Sequence, residues 1–170
     1  MNDKREQFSG IYDQYIEKIY RFVYIKVNSQ EIAEDITSKV FLKGWETYQK
    51  TQETVKNPGA FLYQIARNSV IDHYREKGRT KIVSTEYVPQ IIDNKAGLQE
   101  KAMINSDFET VKTAIQGLKK DYQDIIIWHY LDGIEVPEIA EIMQKPAGTI
   151  RVMIHRGLRE LKKGLGSKEA

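Results

Sequence analysis

Between Thr149 and Lys162 two kinds of side chain alternate. Ile150, Ile154, Leu158 and Leu161 recur at three- and four-residue steps, and Thr149, Arg151, His155, Arg156, Arg159 and Lys162 fall between them. That spacing predicts a helix buried along one side. Its open side carries a hydroxyl and a guanidinium near the start, groups that bond base edges in the DNA major groove, and further cations that hold phosphates. Just upstream, Ile139, Ala140, Ile142 and Met143 form a first apolar stripe that breaks at Gln144-Lys145-Pro146, so Asp132 to Arg156 reads as a helix-turn-helix.

The alternative is a helical hairpin whose charged side is only solvated. Three details favour DNA. Ala140 leaves room for a steeply crossing second helix, and Pro146-Ala147-Gly148-Thr149 offers open backbone N–H groups beside a hydroxyl, a phosphate anchor. From Lys145 to Lys163 there are six Lys or Arg against one acidic residue, Glu160.

The elements that would carry this motif follow from periodicity. Phe8, Ile11, Tyr12, Tyr15, Ile19, Phe22, Val23 and Ile25 predict a first amphipathic helix reaching about Val27. Asn28, with Glu31 three residues on, is expected to open a second as a capping box. This second helix carries Ile32, Ile36 and Val40 on one stripe and Phe41, Trp45 and Tyr48 on the next, an apolar arc wider than one neighbour requires. Gln49 to Lys56 reads as a loop. Asn57-Pro58 then starts a third helix through Phe61, Leu62, Ile65, Ala66, Val70 and Tyr74, stopping near Gly78.

Residues 79–105 mix turn formers with isolated apolar pairs such as Ile82-Val83 and Ile91-Ile92, a pattern expected of a flexible tether, with a short helix near Leu98 to Ile104. After a Ser106 cap, Phe108, Val111, Ile115 and Leu118 predict another helix, and Tyr122 to Leu131 one more before the motif. The expected fold is therefore all-α, two small helical domains (1–78 and 106–170) joined by a flexible linker (79–105).

Composition sets bounds on function. The formal net charge is +2 over 170 residues, with 13 basic and 11 acidic side chains in 1–80, 3 and 5 in 81–110, and 10 and 8 in 111–170. An excess this small neutralises few phosphates, so tight binding to DNA calls for a protein partner that adds cations. The absence of cysteine excludes disulfides and thiolate metal sites. No secretory signal is legible, and the longest apolar run, Ile125 to Trp128, is far short of the ~20 residues of a membrane span; a soluble, cytoplasmic protein is expected. His73, His129 and His155 are scattered and no phosphate loop or metal-ligand spacing occurs, so neither an enzyme nor a cofactor is expected.

Two further patterns carry a resemblance. Glu34-Asp35-Ile36-Thr37-Ser38-Lys39-Val40-Phe41-Leu42-Lys43-Gly44-Trp45 and Asn57-Pro58-Gly59-Ala60-Phe61-Leu62-Tyr63-Gln64-Ile65-Ala66-Arg67-Asn68, followed by the helix-turn-helix, resemble in order and content the bacterial RNA polymerase sigma factors of the extracytoplasmic function group. The resemblance spans nearly the whole chain. It implies core RNA polymerase as partner, met by Asp35, Phe41, Lys43 and Trp45, and promoter DNA at two places. The downstream (−10) element would be held as a flipped base of the non-template strand by the loop from Lys50 to Lys56 with Arg67, Asn68 and Arg75. The upstream (−35) element would be read as duplex by Thr149, Arg151, Val152 and His155, with Lys145, Arg156 and Arg159 on phosphates. It also implies an anti-sigma factor that clamps or separates the two domains.

Departures from the family pattern include Ser38-Lys39 for Gln-Glu, Glu135 as helix cap, Lys120 for Pro, and Val152-Met153 in the recognition helix. The competing readings are a helix-turn-helix regulator acting without polymerase, which would need a sensory or dimerising N-terminal domain, and a helical adaptor that binds only protein.

Overall fold

The computed structural model describes residues 3–50, 57–80 and 106–169. The described residues hold seven α-helices, α1 (Asp3–Val27), α2 (Gln30–Lys50), α3 (Pro58–Thr80), α4 (Ser106–Gln116), α5 (Lys120–Ile126), α6 (Val136–Met143) and α7 (Ala147–Glu169), with one π-helical turn (Ile127–Leu131) between α5 and α6. The expectations for Lys56, for most of the loop before α3, and for the tether with its short helix lie outside the described residues.

The helices begin and end for local reasons. Asn28 does not cap α2 as its sequence context suggests. It takes a left-handed backbone, φ 55°, and its N–H bonds the Tyr24 carbonyl at 2.7 Å, which closes α1. The cap of α2 is Ser29, whose Oγ accepts the Ile32 N–H at 3.3 Å. Asn57 caps α3 as expected, its Oδ1 accepting the Ala60 N–H at 3.1 Å. α3 is described as far as Thr80, two residues beyond Gly78.

The N-terminal core forms where α1, α2 and α3 turn their stripes together: Phe8, Ile19, Phe22 and Val23 meet Ala33, Ile36, Val40 and Phe41, with Leu62, Tyr63, Ala66 and Val70. Close approach decides one residue. A Cβ on Gly59 would lie 2.7 Å from the Tyr15 hydroxyl, so with any larger residue there the Tyr15 ring would have to move.

In the C-terminal half α5 does not end cleanly. It widens into a π-helical turn, Ile127–Leu131, in which the Asp132 N–H reaches back five residues to the Ile127 carbonyl at 3.0 Å. Gly133 follows at φ 70°, and α6 starts with Glu135 as an N-cap that makes no side-chain bond and Pro137 in the first turn, as the sequence indicated. Gln144 ends α6 in the left-handed region while the Lys145 N–H bonds the Ala140 carbonyl at 3.1 Å, a Schellman closure that swings the chain into α7. Gly157 lets Ile126 come within ordinary contact of the α7 backbone; a Cβ there would meet its Cδ1 at 3.4 Å.

The sequence suggests two helical modules standing apart on a tether. In the structure their described residues are docked. Trp128, 0% exposed, stacks on Phe22 at 5.4 Å and meets Tyr63 edge-on at 5.8 Å, so one aromatic cluster is shared between the halves. This contact comes from the π-helical turn, whose extra residue aims Trp128 and Asp132 at α1 and α3.

Candidate nucleic-acid interface

Ile150, Ile154, Gly157 and Leu161 of α7 face inward, against α5 and α6, which leaves the intervening residues outside. Thr149, Arg151, Val152, His155, Arg156 and Arg159 are all exposed on this helix, and Lys145 is exposed on the turn before it. They occupy two neighbouring ridges, 149-152-156-159 and 151-155-159, one helix turn apart at each step. Arg159 and His155 face each other at 3.2 Å. Arg151 and Arg156 have no carboxylate partner among the described residues, so their charge is available to an anion. Val152, nearly half exposed, puts an apolar group at the centre of the row, where a thymine methyl is its natural contact.

α3 divides the expected −10 residues. Asn68 and Arg75 are seven residues apart and exposed on one face, and Arg75 lies 4.0 Å from Asp72 between them. Lys50 is exposed at the end of α2. Arg67 lies about 100° around the helix from Asn68 and points the other way. Its Nε bonds Asp124 and its other guanidinium nitrogen Asp121, each at 3.1 Å. In this arrangement Arg67 is not beside Asn68 but inside an ion-pair cluster with the C-terminal half.

On α2, Asp35 and Lys43 are exposed and Trp45 is half-buried. Asp35 pairs with Lys39, a residue of the departure Ser38-Lys39, at 3.1 Å across one helix turn. Phe41 corrects the expectation of direct contact. It is 5% exposed, with its ring 4.9 Å from Tyr12 and 6.5 Å from Phe8, so it supports the surface from beneath. The exposed apolar group is its neighbour Leu42, 59% exposed on the same stripe as Asp35 and Lys39, with Tyr12 of α1 also open. Helical spacing alone puts Leu42 on that stripe.

The sequence reading missed the acidic residues of the C-terminal half. Asp124 lies 2.8 Å from Lys26 as well as 3.1 Å from Arg67, and Asp132 takes the Tyr63 hydroxyl at 2.7 Å and pairs with Arg21. Burial pushes both carboxyls up from the ordinary range, against the pull of Lys26 and Arg67 on Asp124 and of Arg21 and Tyr63 on Asp132. Burial, then the charge of Asp132, raises the Tyr63 phenol far above its usual value. Nothing local distinguishes these carboxylates from solvated ones. No group of His, Cys, Asp or Glu that could hold a metal occurs among the described residues, and no described helix is long and apolar enough to cross a membrane.

Comparison with known proteins places these parts. Residues 11–80 match sigma-70 region 2, and residues 108–161 match sigma-70 region 4. The chain is 29% identical over 161 residues to the ECF RNA polymerase sigma factor BldN of Streptomyces coelicolor, an alignment that takes in 92% of this chain and 59% of that protein. It is 30% identical over 170 residues to the ECF RNA polymerase sigma factor SigW of Bacillus subtilis, across 95% of this chain and 90% of that one. In fold it is similar to the sigma factor RpoE of Bartonella quintana, solved with the anti-sigma factor NepR, at TM-score 0.74 and 20% identity over 95% of this chain and 98% of that one. A second structure, CnrH with the cytosolic domain of CnrY, gives TM-score 0.68 at 15% identity, covering 96% of this chain and 90% of that one.

Proposed function

The chain belongs to the sigma-70 family of RNA polymerase sigma factors, in its extracytoplasmic function group, and from that premise we propose how its own residues divide the work. It is an alternative sigma factor: it binds core RNA polymerase, directs it to promoters through the −35 and −10 elements, and assists melting at the start of transcription. The polymerase performs the chemistry of RNA synthesis, and this chain is not itself an enzyme.

The observation that carries the reading is the outward row of α7. Thr149, Arg151, Val152 and His155 meet base edges of the −35 duplex, and Lys145, Arg156 and Arg159 neutralise flanking phosphates. Residues 1–78 and 106–170 act as region 2 and region 4 modules, with 79–105 between them. Asp35, Lys43 and Trp45, joined by Leu42 and underpinned by Phe41, form the polymerase-facing surface of α2. Asn68 offers its amide to a flipped −10 base while Lys50, Lys56, Arg67 and Arg75 hold the strand. An anti-sigma factor is the partner of the idle protein, and the cytoplasm, where polymerase acts, is its location. Run-off transcription with purified core enzyme on a library of random promoters tests the proposal. Enrichment of a two-part motif is expected; no transcript above core enzyme alone would overturn it.

A further inference from the structure

Lys26 and Arg67 are held on one carboxylate, that of Asp124, at 2.8 and 3.1 Å, so their charged heads stand side by side, and Arg67 also takes Asp121. Beside them lies a cavity of about 380 Å³ between α1, α3 and α5, within the size range of small-molecule sites. Its apolar wall is Phe22, Val70, Ile71 and the ring of Tyr74, of which Phe22 and Val70 are buried. Its charged wall is the Asp124 cluster together with Lys120, the residue that stands where the family pattern has Pro.

Most polar groups around this cavity are already engaged. The Gln116 amide donates to the Ile25 carbonyl, the Gln123 amide to the Gln116 and Leu118 carbonyls, and the Tyr74 hydroxyl to the Lys26 carbonyl. The cations are not. Arg67 bonds through Nε and one Nη, and its other Nη has no partner among the described residues. Lys26 carries three N–H donors, of which Asp124 and the Lys120 carbonyl take two. Lys120 Nζ lies 5.3 Å from the Tyr74 ring centre and has no carboxylate partner among the described residues. Three cations against Asp121 and Asp124 leave the cavity with one positive charge in excess.

We propose that this cavity binds a small organic monoanion: a carboxylate carried on an apolar body of one ring or a short chain. The carboxylate accepts from the free Arg67 nitrogen and the remaining Lys26 N–H, with Lys120 adding charge at the rim, and the body lies on Phe22, Val70, Ile71 and Tyr74. A single negative charge balances the excess. A dianion such as a phosphate monoester would leave surplus negative charge beside Asp121 and Asp124, and a neutral ligand would leave the cations' open donors without a charged acceptor. The inference goes beyond the proposed function and does not rest on it.

The probes are phenylbutyrate and its uncharged amide, phenylbutyramide, titrated into the full chain by calorimetry and followed through the thermal midpoint. Phenylbutyrate should bind at one site and raise the midpoint as its concentration rises. The amide, which keeps the shape and loses the charge, should bind about tenfold more weakly. Lys120→Gln, at an exposed position, should weaken phenylbutyrate about fivefold and leave the amide as it was. Ile71→Trp, which fills the cavity from a half-buried position, should abolish binding of both probes. Equal affinity for carboxylate and amide would overturn the proposal. So would phenylbutyrate binding that neither substitution changes, since the probe would then sit elsewhere, and so would the absence of heat and midpoint shift with either probe. Neither Lys120 nor Ile71 belongs to the proposed polymerase or DNA surfaces, so each of these failures leaves the sigma-factor reading intact.

Discussion

Arg151 and Arg156 share a helix and a charge, yet their positions on α7 give them different work. In the proposed function Arg151, one turn from the N-terminus, is assigned to base edges and Arg156, further along, to phosphates. Arg151→Ala should cost about 1–3 kcal/mol of discrimination at one base pair and leave unrelated sequences bound as before. Arg156→Ala should weaken all sites alike and reduce the salt slope by about 1, which binding isotherms at several salt concentrations would resolve. His73 gives a residue-scale prediction of another kind. Burial, then Lys77, lowers its pKa in the folded chain, so the unfolded chain takes up the proton first as pH falls. The stability His73 contributes is present above its ordinary value of 6.5 and is lost as pH drops through the lowered one. Urea midpoints measured from roughly pH 8 to 5 should therefore fall less steeply in His73→Gln than in the natural chain.

At the scale of elements, the junction between α1 and α2 rests on two adjacent residues. Asn28 and Ser29 divide it. The first closes one helix with a left-handed backbone and accepts Lys112 Nζ at 3.0 Å, while the second caps the next. Ser29→Ala should cost about 1 kcal/mol through loss of the cap, seen as a shift in the urea midpoint with unchanged slope. The π-helical turn has the larger consequence. By adding one residue to the end of α5 it brings Trp128 against Phe22 and Tyr63, and there the indole N–H is buried without an acceptor among the described residues. An unmet donor of that kind costs about 1–3 kcal/mol, which offsets part of what the aromatic packing contributes.

For the whole molecule the deciding quantity is charge distribution. A formal +2 spread over 170 residues gives little long-range pull on DNA, and the acidic face of α5 and α6 spends part of the N-terminal half's cations internally. Isolated protein should bind promoter duplex weakly and with a shallow salt dependence, whereas core polymerase, by adding cations, should raise affinity and steepen the dependence on salt. A salt titration with and without core enzyme checks this, and equal affinities would contradict it.

Much of this was legible in the residues themselves. Apolar spacing specified which side of each helix is buried, because a helix has to bury its stripe wherever it packs; Ile150, Ile154 and Leu161 could face only inward, and Arg151 and Arg156 only outward. The caps at Asn57 and the proline at α6 are local chemistry, read from neighbours in the chain. Phe41 against Leu42 was not legible, since an aromatic and an aliphatic residue one position apart both suit an apolar arc, and only the packing of α1 on α2 chose between them. Nor was the docking of the halves. Arg67, Asp121, Asp124 and Asp132 look like solvated charges in the sequence, and ion pairs between residues 54 and 111 positions apart exist only once the two halves are folded against each other.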